Sequence, residues 1–352
     1  MSDISEALQQ QVQTALADKA PLKIVGGNSK AFFGNAIEGN TLDVSAHTGI
    51  INYEPTELII TARAGTPLAE IEATLAEHNQ ILPFEPPHFG SSATLGGTLA
   101  CGFSGPRRAY SGAARDFMLG CKIINGNGEI VQFGGEVMKN VAGYDVSRVM
   151  VGALGTLGVL LEVSLKVLPR PENEITLVQP CSEQEALARM NDWAGKPLPL
   201  SATCYVDGQL YVRLSGMEQA VTASAEHIGG DVMEEGEAFW ADLREHKSAF
   251  FKNAKRLWRI SVPTAADPLS LSGQQLIEWG GGQRWWLSEE DADAIRGVAE
   301  EAGGHATLFR GAETDEAVFH PLSKGLQRLH QNMKHAFDPY GIFNPNRLYQ
   351  GL

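Results

Sequence analysis

Gly152-Ala-Leu-Gly-Thr-Leu-Gly158 runs straight into Val159-Leu-Leu-Glu-Val-Ser-Leu-Lys-Val-Leu-Pro-Arg-Pro171, and this stretch decides the fold. Three glycines at intervals of three precede a strongly apolar, strand-like run that prolines close. Glycine inside ordered structure signals a tight turn, a positive φ, or a ligand lying against the main chain. The same density extends upstream. Fifteen of the 38 glycines fall between Gly90 and Gly158, spaced by strand-like runs such as Phe117–Ile124 rather than gathered as in a linker. The pattern points to a large, flat, phosphate-bearing cofactor laid along main chain.

Two more segments support that reading. Val25-Gly-Gly-Asn-Ser29 follows a short strand, Leu22–Val25, and can turn several N–H groups toward one point, a concavity suited to a pyrophosphate. A plain glycine turn is the competing reading of this motif alone. It does not match the G-x-G-x-x-G fingerprint that opens a helix, so a Rossmann fold gains little. Thr94-Leu-Gly-Gly-Thr98 adds a third glycine-rich loop.

Around these loops the chain reads as α+β. Ser5–Ala17 has helical spacing in Ile4, Leu8, Val12 and Leu16. Pro67 opens a helix over Leu68–Glu77 with Leu68, Ile71 and Leu75 facing inward. Asn125-Gly-Asn-Gly128 marks a hairpin. Pro169-Arg-Pro171 ends the first domain, 1–171, whose lobes are expected over about 1–80 and 81–171. All six tryptophans lie beyond it. Strand pairs between helices over 172–320 predict an antiparallel sheet covered by helices on one face. Residues 321–352 form a helix, Leu322–Phe337, and a tail. Trp285 and Trp286 are adjacent in a hairpin-like run, so one should be core and the other an exposed partner anchor.

Composition excludes several classes. A formal charge of −14 over 352 residues argues against a nucleic-acid groove. Cys101, Cys121, Cys181 and Cys204 are widely spaced and fit neither a disulfide framework nor a zinc or iron–sulfur site. Met1–Lys19 is polar and helix-like, unlike a signal peptide, and no run approaches the ~18 apolar residues of a membrane span. The expected location is cytoplasmic, with any membrane contact peripheral and made through a partner.

The loops together resemble the flavoprotein family with the vanillyl-alcohol-oxidase-type FAD-binding domain. Its pyrophosphate turn corresponds to Gly26–Ser29, its T-x-GG loop to Thr94–Gly97, and its G-x-x-GTLG loop to Gly152–Val159. Lys166-Val-Leu-Pro-Arg-Pro171 matches the closing strand, and Asp338-Pro…Asn344-Pro345 resembles the C-terminal return to the flavin. Glu136–Asp145 and Gly105-Pro-Arg-Arg108 are closer still to the FAD-binding subunits of bacterial glycolate oxidase.

The resemblance implies a two-lobed FAD-binding domain followed by an α+β domain. It implies Gly26, Gly27, Asn28 and Ser29 at the pyrophosphate, and Thr94, Gly96 and Gly97 along the dinucleotide. Gly152, Gly155, Thr156 and Val159 would lie near the ribityl–isoalloxazine portion. The first turn has no histidine, so the expected FAD is non-covalent.

Catalysis is where the chain departs from the family. The His-x-Gly-Asp-Gly-Asn-x-His stretch of related hydroxy-acid dehydrogenases is absent, and no metal site is expected. Gly303-Gly-His-Ala-Thr307 is its nearest echo. His88 and His305 are the available bases, each equally readable as structural. Arg107 and Arg108 are an anion-site candidate or surface ion pairs.

The resemblance therefore implies an FAD-carrying subunit of a glycolate dehydrogenase, acting on glycolate or D-lactate. Its partners would be a related FAD-containing catalytic subunit and an iron–sulfur subunit that passes electrons to quinone. Two alternatives are a self-sufficient 2-hydroxy-acid dehydrogenase and an assembly subunit with a vestigial flavin site.

Overall fold

The computed structural model describes residues 2–135, 145–252, 254–312 and 316–352. The Glu136–Tyr144 part of the glycolate-oxidase-like motif lies outside them. The chain divides into two compact units. The first comprises 1–103, 113–169 and 321–352; the second comprises 104–112 and 170–320.

Among the described residues the first unit has three sheets, one of them only the short antiparallel pair Gln80–Ile81 with Leu168–Pro169. Leu22–Val25 pairs in parallel with Asn40–Asp43. The helix Ser5–Asp18 buries Leu8, Val12 and Ala15 in a core shared with Leu42, Val159 and Phe343, as its 3.6-residue spacing requires. The largest sheet is antiparallel and five-stranded. Its order is Ile50–Glu54, Ile59–Arg63, Val159–Lys166, Met118–Ile124, Ile130–Gly134. Ile59–Arg63, which the sequence assigns to the first lobe, thus pairs directly with the apolar strand after Gly158, and Ile50–Glu54 pairs with Ile59–Arg63 on its other side.

Val159–Lys166 is central, so both of its faces are covered: Val159 and Leu161 face one core, Leu160, Val163 and Leu165 another. A strand buried on both sides reads as a continuous apolar run, which is why this one stands out in the sequence. The hairpin turns at Asn125–Gly128, with the Gly128 N–H donating to the Asn125 carbonyl. Leu68–Ala76 buries Leu68, Ile71 and Leu75.

The second unit is one eight-stranded antiparallel sheet. Its order is Asp231–Val232, Asn173–Pro180, Gln209–Gly216, Leu200–Val206, Gln274–Glu278, Gln283–Leu287, Leu257–Ser261, His305–Arg310. Helices Glu183–Ala194 and Glu218–Ile228 pack on Leu210, Val212 and Leu214. Ala292–Glu301 packs on Trp258, Ile260 and Trp286.

The expectation of helices on one face is corrected here. On the other face, Gly236–Arg244 covers Tyr211 and Thr176: Phe239 stacks on Tyr211 at 4.2 Å, and Trp240 Nε1 donates to Thr176 Oγ1 at 2.9 Å. Trp285 and Trp286 do point to opposite faces, yet both are buried, Trp285 against His246, Phe251 and Phe309. With both faces covered, neither indole is left to anchor a partner.

The excursion 104–112 belongs to this unit because its polar groups are spent there. Trp279 Nε1 donates to the Gly105 carbonyl, Tyr110 Oη lies 3.2 Å from Thr203 Oγ1, and Arg107 Nη2 lies 2.7 Å from Glu174 Oε2. That ion pair answers half of the arginine question: Arg107 is buried and committed within the unit.

Candidate cofactor site

Two adjoining cavities open in the first unit. The larger, about 290 Å3, is lined by Gly26, Gly27, Asn28, Ser29, Thr94 and Gly97 together with Lys23, Lys30 and Arg347. The smaller, about 70 Å3, is apolar, with Ala64, Met150, Leu157 and Leu160 in its wall alongside Gly96 and Gly155. Ile24, Leu154 and Asn344 line both.

The glycines at 26 and 27 have a reason beyond a ligand. A Cβ on Gly27 would sit 1.4 Å from the Ser92 carbonyl oxygen, and one on Gly26 would sit 2.7 Å from Thr94 Oγ1. The turn is thus held against the 92–94 loop, where Ser92 Oγ donates back to the Gly27 carbonyl. Thr94 caps the helix Leu95–Cys101 by accepting from the Gly97 N–H at 3.2 Å. The glycine pattern reports contact between two loops as much as contact with a cofactor.

The cavity chemistry is what fits a dinucleotide. In a chain of net charge −14, the larger cavity is lined, among the described residues, by three basic residues and no acidic one. Lys30 is buried; its ammonium donates to the His88 carbonyl at 3.1 Å and lies 3.4 Å from Ser29 Oγ. Arg347 donates to the carbonyls of Asn35 and Ala31, which holds its cation at the wall. Burial pushes the Cys101 thiol up to about 11 despite these two cations, so it is inert as a nucleophile near neutrality. A basic cleft with main-chain amides suits a pyrophosphate, and an apolar annex suits a flat ring.

The C-terminal tail completes the walls. Asn344 accepts from the Ile24 N–H at 2.8 Å and donates from Nδ2 to the Leu154 carbonyl at 2.7 Å. It therefore ties the strand before the glycine turn to the Gly152–Gly158 loop. Behind it, buried Lys334 donates to the carbonyls of Thr156 and Phe343 and pairs with Asp338. The sequence reading placed Asn344 only within the C-terminal return to the flavin and did not name Lys334. The available signal was a lysine four residues before Asp338 on the last turn of a helix entering an Asn-Pro tail.

Gly152, Thr156 and Val159 line neither cavity. Thr156 spends its hydroxyl on the Ala153 carbonyl at 2.7 Å, and Val159 is fully buried in the core under Ser5–Asp18.

The expected bases are also separate from the cavities, whose walls contain no histidine. His88 Nε2 lies 2.9 Å from Glu72 Oε2 in the first unit. His305 is exposed at the start of an edge strand of the second unit, its ring 6.3 Å from that of His320. No cluster of three or more potential metal ligands occurs among the described residues.

Comparison with known proteins agrees with this geometry. The FAD binding domain model matches residues 4–134. The Escherichia coli K12 glycolate oxidase subunit GlcE is 52% identical over 350 residues, covering 99% of both chains. The chain belongs to the GlcE family of glycolate oxidase subunits.

More distant relatives share less than half of the chain. The glycolate oxidase subunit GlcD of Bacillus subtilis is 32% identical over 37% of this chain and 27% of its own. A D-lactate dehydrogenase of Anaerostipes hadrus is 29% identical over 42% of this chain and 30% of its own. The solved structure of an alkyldihydroxyacetonephosphate synthase superposes with a TM-score of 0.65 at 15% identity, over 97% of this chain and 74% of that one, and shows the fold. The cofactor of this GlcE-family chain is FAD, and the chain is a flavoprotein oxidoreductase subunit.

Proposed function

We propose that this chain is the FAD-holding subunit of a glycolate-oxidising complex that yields glyoxylate. Electrons would leave through an iron–sulfur subunit toward quinone. When bound, the flavin would supply the capacity to accept and pass on electrons. In this reading the amides of Gly26–Ser29 hold the pyrophosphate, and Lys30 and Arg347 offset its charge. Thr94, Gly96 and Gly97 line the dinucleotide with Gly155, and the wall of Ala64, Met150 and Leu160 keeps water from a ring. Non-covalent attachment follows from the absence of histidine or accessible thiolate in that wall.

One observation carries the division of labour. Among the described residues the cavities bring together cations and main-chain donors but no histidine or carboxylate side chain to take the substrate hydroxyl proton. Glycolate oxidation then belongs to a related catalytic subunit, and this chain relays electrons or supports the complex. No helix of the described residues is long and apolar enough to cross a membrane.

A second reading rests on His88. Glu72 orients its imidazole, and its carbonyl accepts from cavity-lining Lys30, the arrangement of a positioned base in a self-sufficient dehydrogenase, with glycolate or D-lactate as substrate. An anaerobic visible spectrum, with and without glycolate, separates the readings. Bleaching of the isolated chain's flavin favours the second. Bleaching only with partner subunits supports the first. A folded, flavin-free chain that still assembles would overturn both in favour of an assembly role.

A further inference from the structure

The helix Lys324–Phe337 belongs to the first unit, and its burial is confined to its C-terminal half. Lys334 is its one buried residue, while Met333 and Phe337 pack partly on the core that holds Phe117 and Met118. Every residue from Lys324 to Leu329 is exposed. This end is nevertheless a formed helix. Ser323 Oγ accepts from the Leu326 N–H at 3.4 Å, and the Gln327 N–H donates to the Ser323 carbonyl at 2.8 Å. Helices of this length owe most of their stability to packing of an amphipathic face, and Gly325 lowers the propensity of the first turn.

The exposed end has such a face. Leu326, Leu329, Met333 and Phe337 recur at spacings of three and four, so they form one apolar stripe along the helix. The C-terminal half of the stripe meets the core; the N-terminal half, with Leu326 at 49% and Leu329 at 52% exposure, meets water. The other exposed large apolar side chains among the described residues, Phe32, Ile51, Met217, Val232 and Tyr340, stand on separate elements. Charge also sets this region apart. No Asp or Glu occurs from Ala317 to Phe337 in a chain of net charge −14, and Lys324 and Arg328 stand one turn apart on the exposed end. At about 100° per residue, Arg328 borders the stripe beside Leu329.

These features select the occupant. Electrostatic docking on anionic lipid takes clusters of about four to eight Lys or Arg. This end presents only Lys324 and Arg328. A narrow apolar stripe with a cation on its border instead matches the helix-in-groove mode of protein recognition, whose anchors recur at i, i+3 and i+7. We infer that the Leu326–Leu329 end of this helix docks into an apolar groove on another protein subunit of the same oxidase, with carboxylates of that subunit facing Lys324 and Arg328. The partner's identity rests on the proposed function, in which the chain works within a multi-subunit oxidase; the docking face rests on the helix.

Co-expression of the full chain with the catalytic flavin subunit and the iron–sulfur subunit of its own complex tests the face. The FAD-loaded product is purified through a tag on this chain and sized by light scattering. The parent is expected to form a stable complex, and Leu326→Gln/Leu329→Gln to recover at least about tenfold less partner subunit per chain. Arg328→Glu should give a smaller loss, which added salt reproduces in the parent. Met217→Gln, at a residue 71% exposed on the second unit, should change nothing. Circular dichroism and flavin absorbance verify that each variant is folded and loaded. Unchanged recovery with a folded, loaded double variant overturns the inference. So does a parent chain whose two leucines instead drive self-association or flotation with phosphatidylglycerol vesicles. A parent that assembles with neither subunit sinks the multi-subunit reading and the inference with it, whereas a complex indifferent to the double variant sinks the docking face alone.

Discussion

Lys334 Nζ lies 2.7 Å from Asp338 Oδ2, one helical turn on, and the same ammonium donates to the carbonyls of Thr156 and Phe343 at 2.8 Å. Asp338 in turn accepts from the N–H groups of Ile342 and Phe343. A buried cation with three acceptors thus fastens the C-terminal tail to the Gly152–Gly158 loop.

Removing one partner of this pair should be costly. Asp338→Ala leaves the Lys334 ammonium buried beside carbonyls only and is expected to lose about 3–5 kcal/mol of stability. Urea unfolding of the FAD-loaded chain reads this directly. An unchanged midpoint would mean that the pair does not hold the tail.

The glycine turn gives a paired test. Gly27→Ala places a methyl 1.4 Å from the Ser92 carbonyl, so the two loops must separate. The expected cost is at the upper end of overpacking, about 3 kcal/mol, with loss of retained FAD. Gly135→Ala meets nothing within 4 Å and should stay within about 0.5 kcal/mol of the parent. Flavin-to-protein ratio after gel filtration distinguishes the two.

Asn344 separates structural from electrostatic support. Asn344→Ala strands the Ile24 N–H and the Leu154 carbonyl and should cost about 1–3 kcal/mol. Asn344→Asp keeps an acceptor for Ile24 but sets a negative charge at the junction of the two cavities. If a pyrophosphate occupies the basic cavity, FAD loss in dialysis is greater for Asp than for Ala. Equal loss would argue that the phosphates lie elsewhere.

His246 sets an acid limit on the second unit. Its ring stacks on Phe251 at 3.9 Å, and burial, with Arg310 and Arg259 adding to it, holds its proton affinity well below the ordinary histidine value. The unfolded chain therefore binds a proton near pH 6.5 that the folded chain refuses. Stability is full above that pH and falls below it, by at most about 1.4 kcal/mol per pH unit from this residue. Burial lowers His47 in the same sense. His246→Phe should flatten the decline between pH 6.5 and 5 in thermal melts; an unchanged slope would assign the acid limit to other groups.

The parts of the fold that local chemistry dictates were readable. Leu68, Ile71 and Leu75 repeat at helical spacing and are buried, and Asn125–Gly128 turns a hairpin as its glycines and asparagines require. Long-range pairing was not readable. Nothing local in Ile59–Arg63 says that its partner is Val159–Lys166, a hundred residues away, and nothing in Arg107 says that Glu174 will claim it. Trp285 and Trp286 show the same limit: alternation gives the two faces, but only His246, Phe251 and Phe309 on one side and the helix 292–301 on the other decide that both are covered. At the site, glycine density located the loops. The cations Lys30 and Arg347 and the hinge residue Asn344 converge only in three dimensions, so composition alone could not single them out.

The first unit is interrupted by the second and finished by the last thirty-two residues of the chain. During synthesis, Gly26 and Thr94 leave the ribosome long before Asn344 and Arg347, which line the same cavity. Domains generally fold as they emerge, N-terminal first. Here the early portion must wait, with its tail-facing core exposed, until the sheet of the second unit has been made. Flavin capture thereby waits for the segment that carries Asn344 and Arg347, and a chain cut before residue 343 would lack two of its cavity-lining residues.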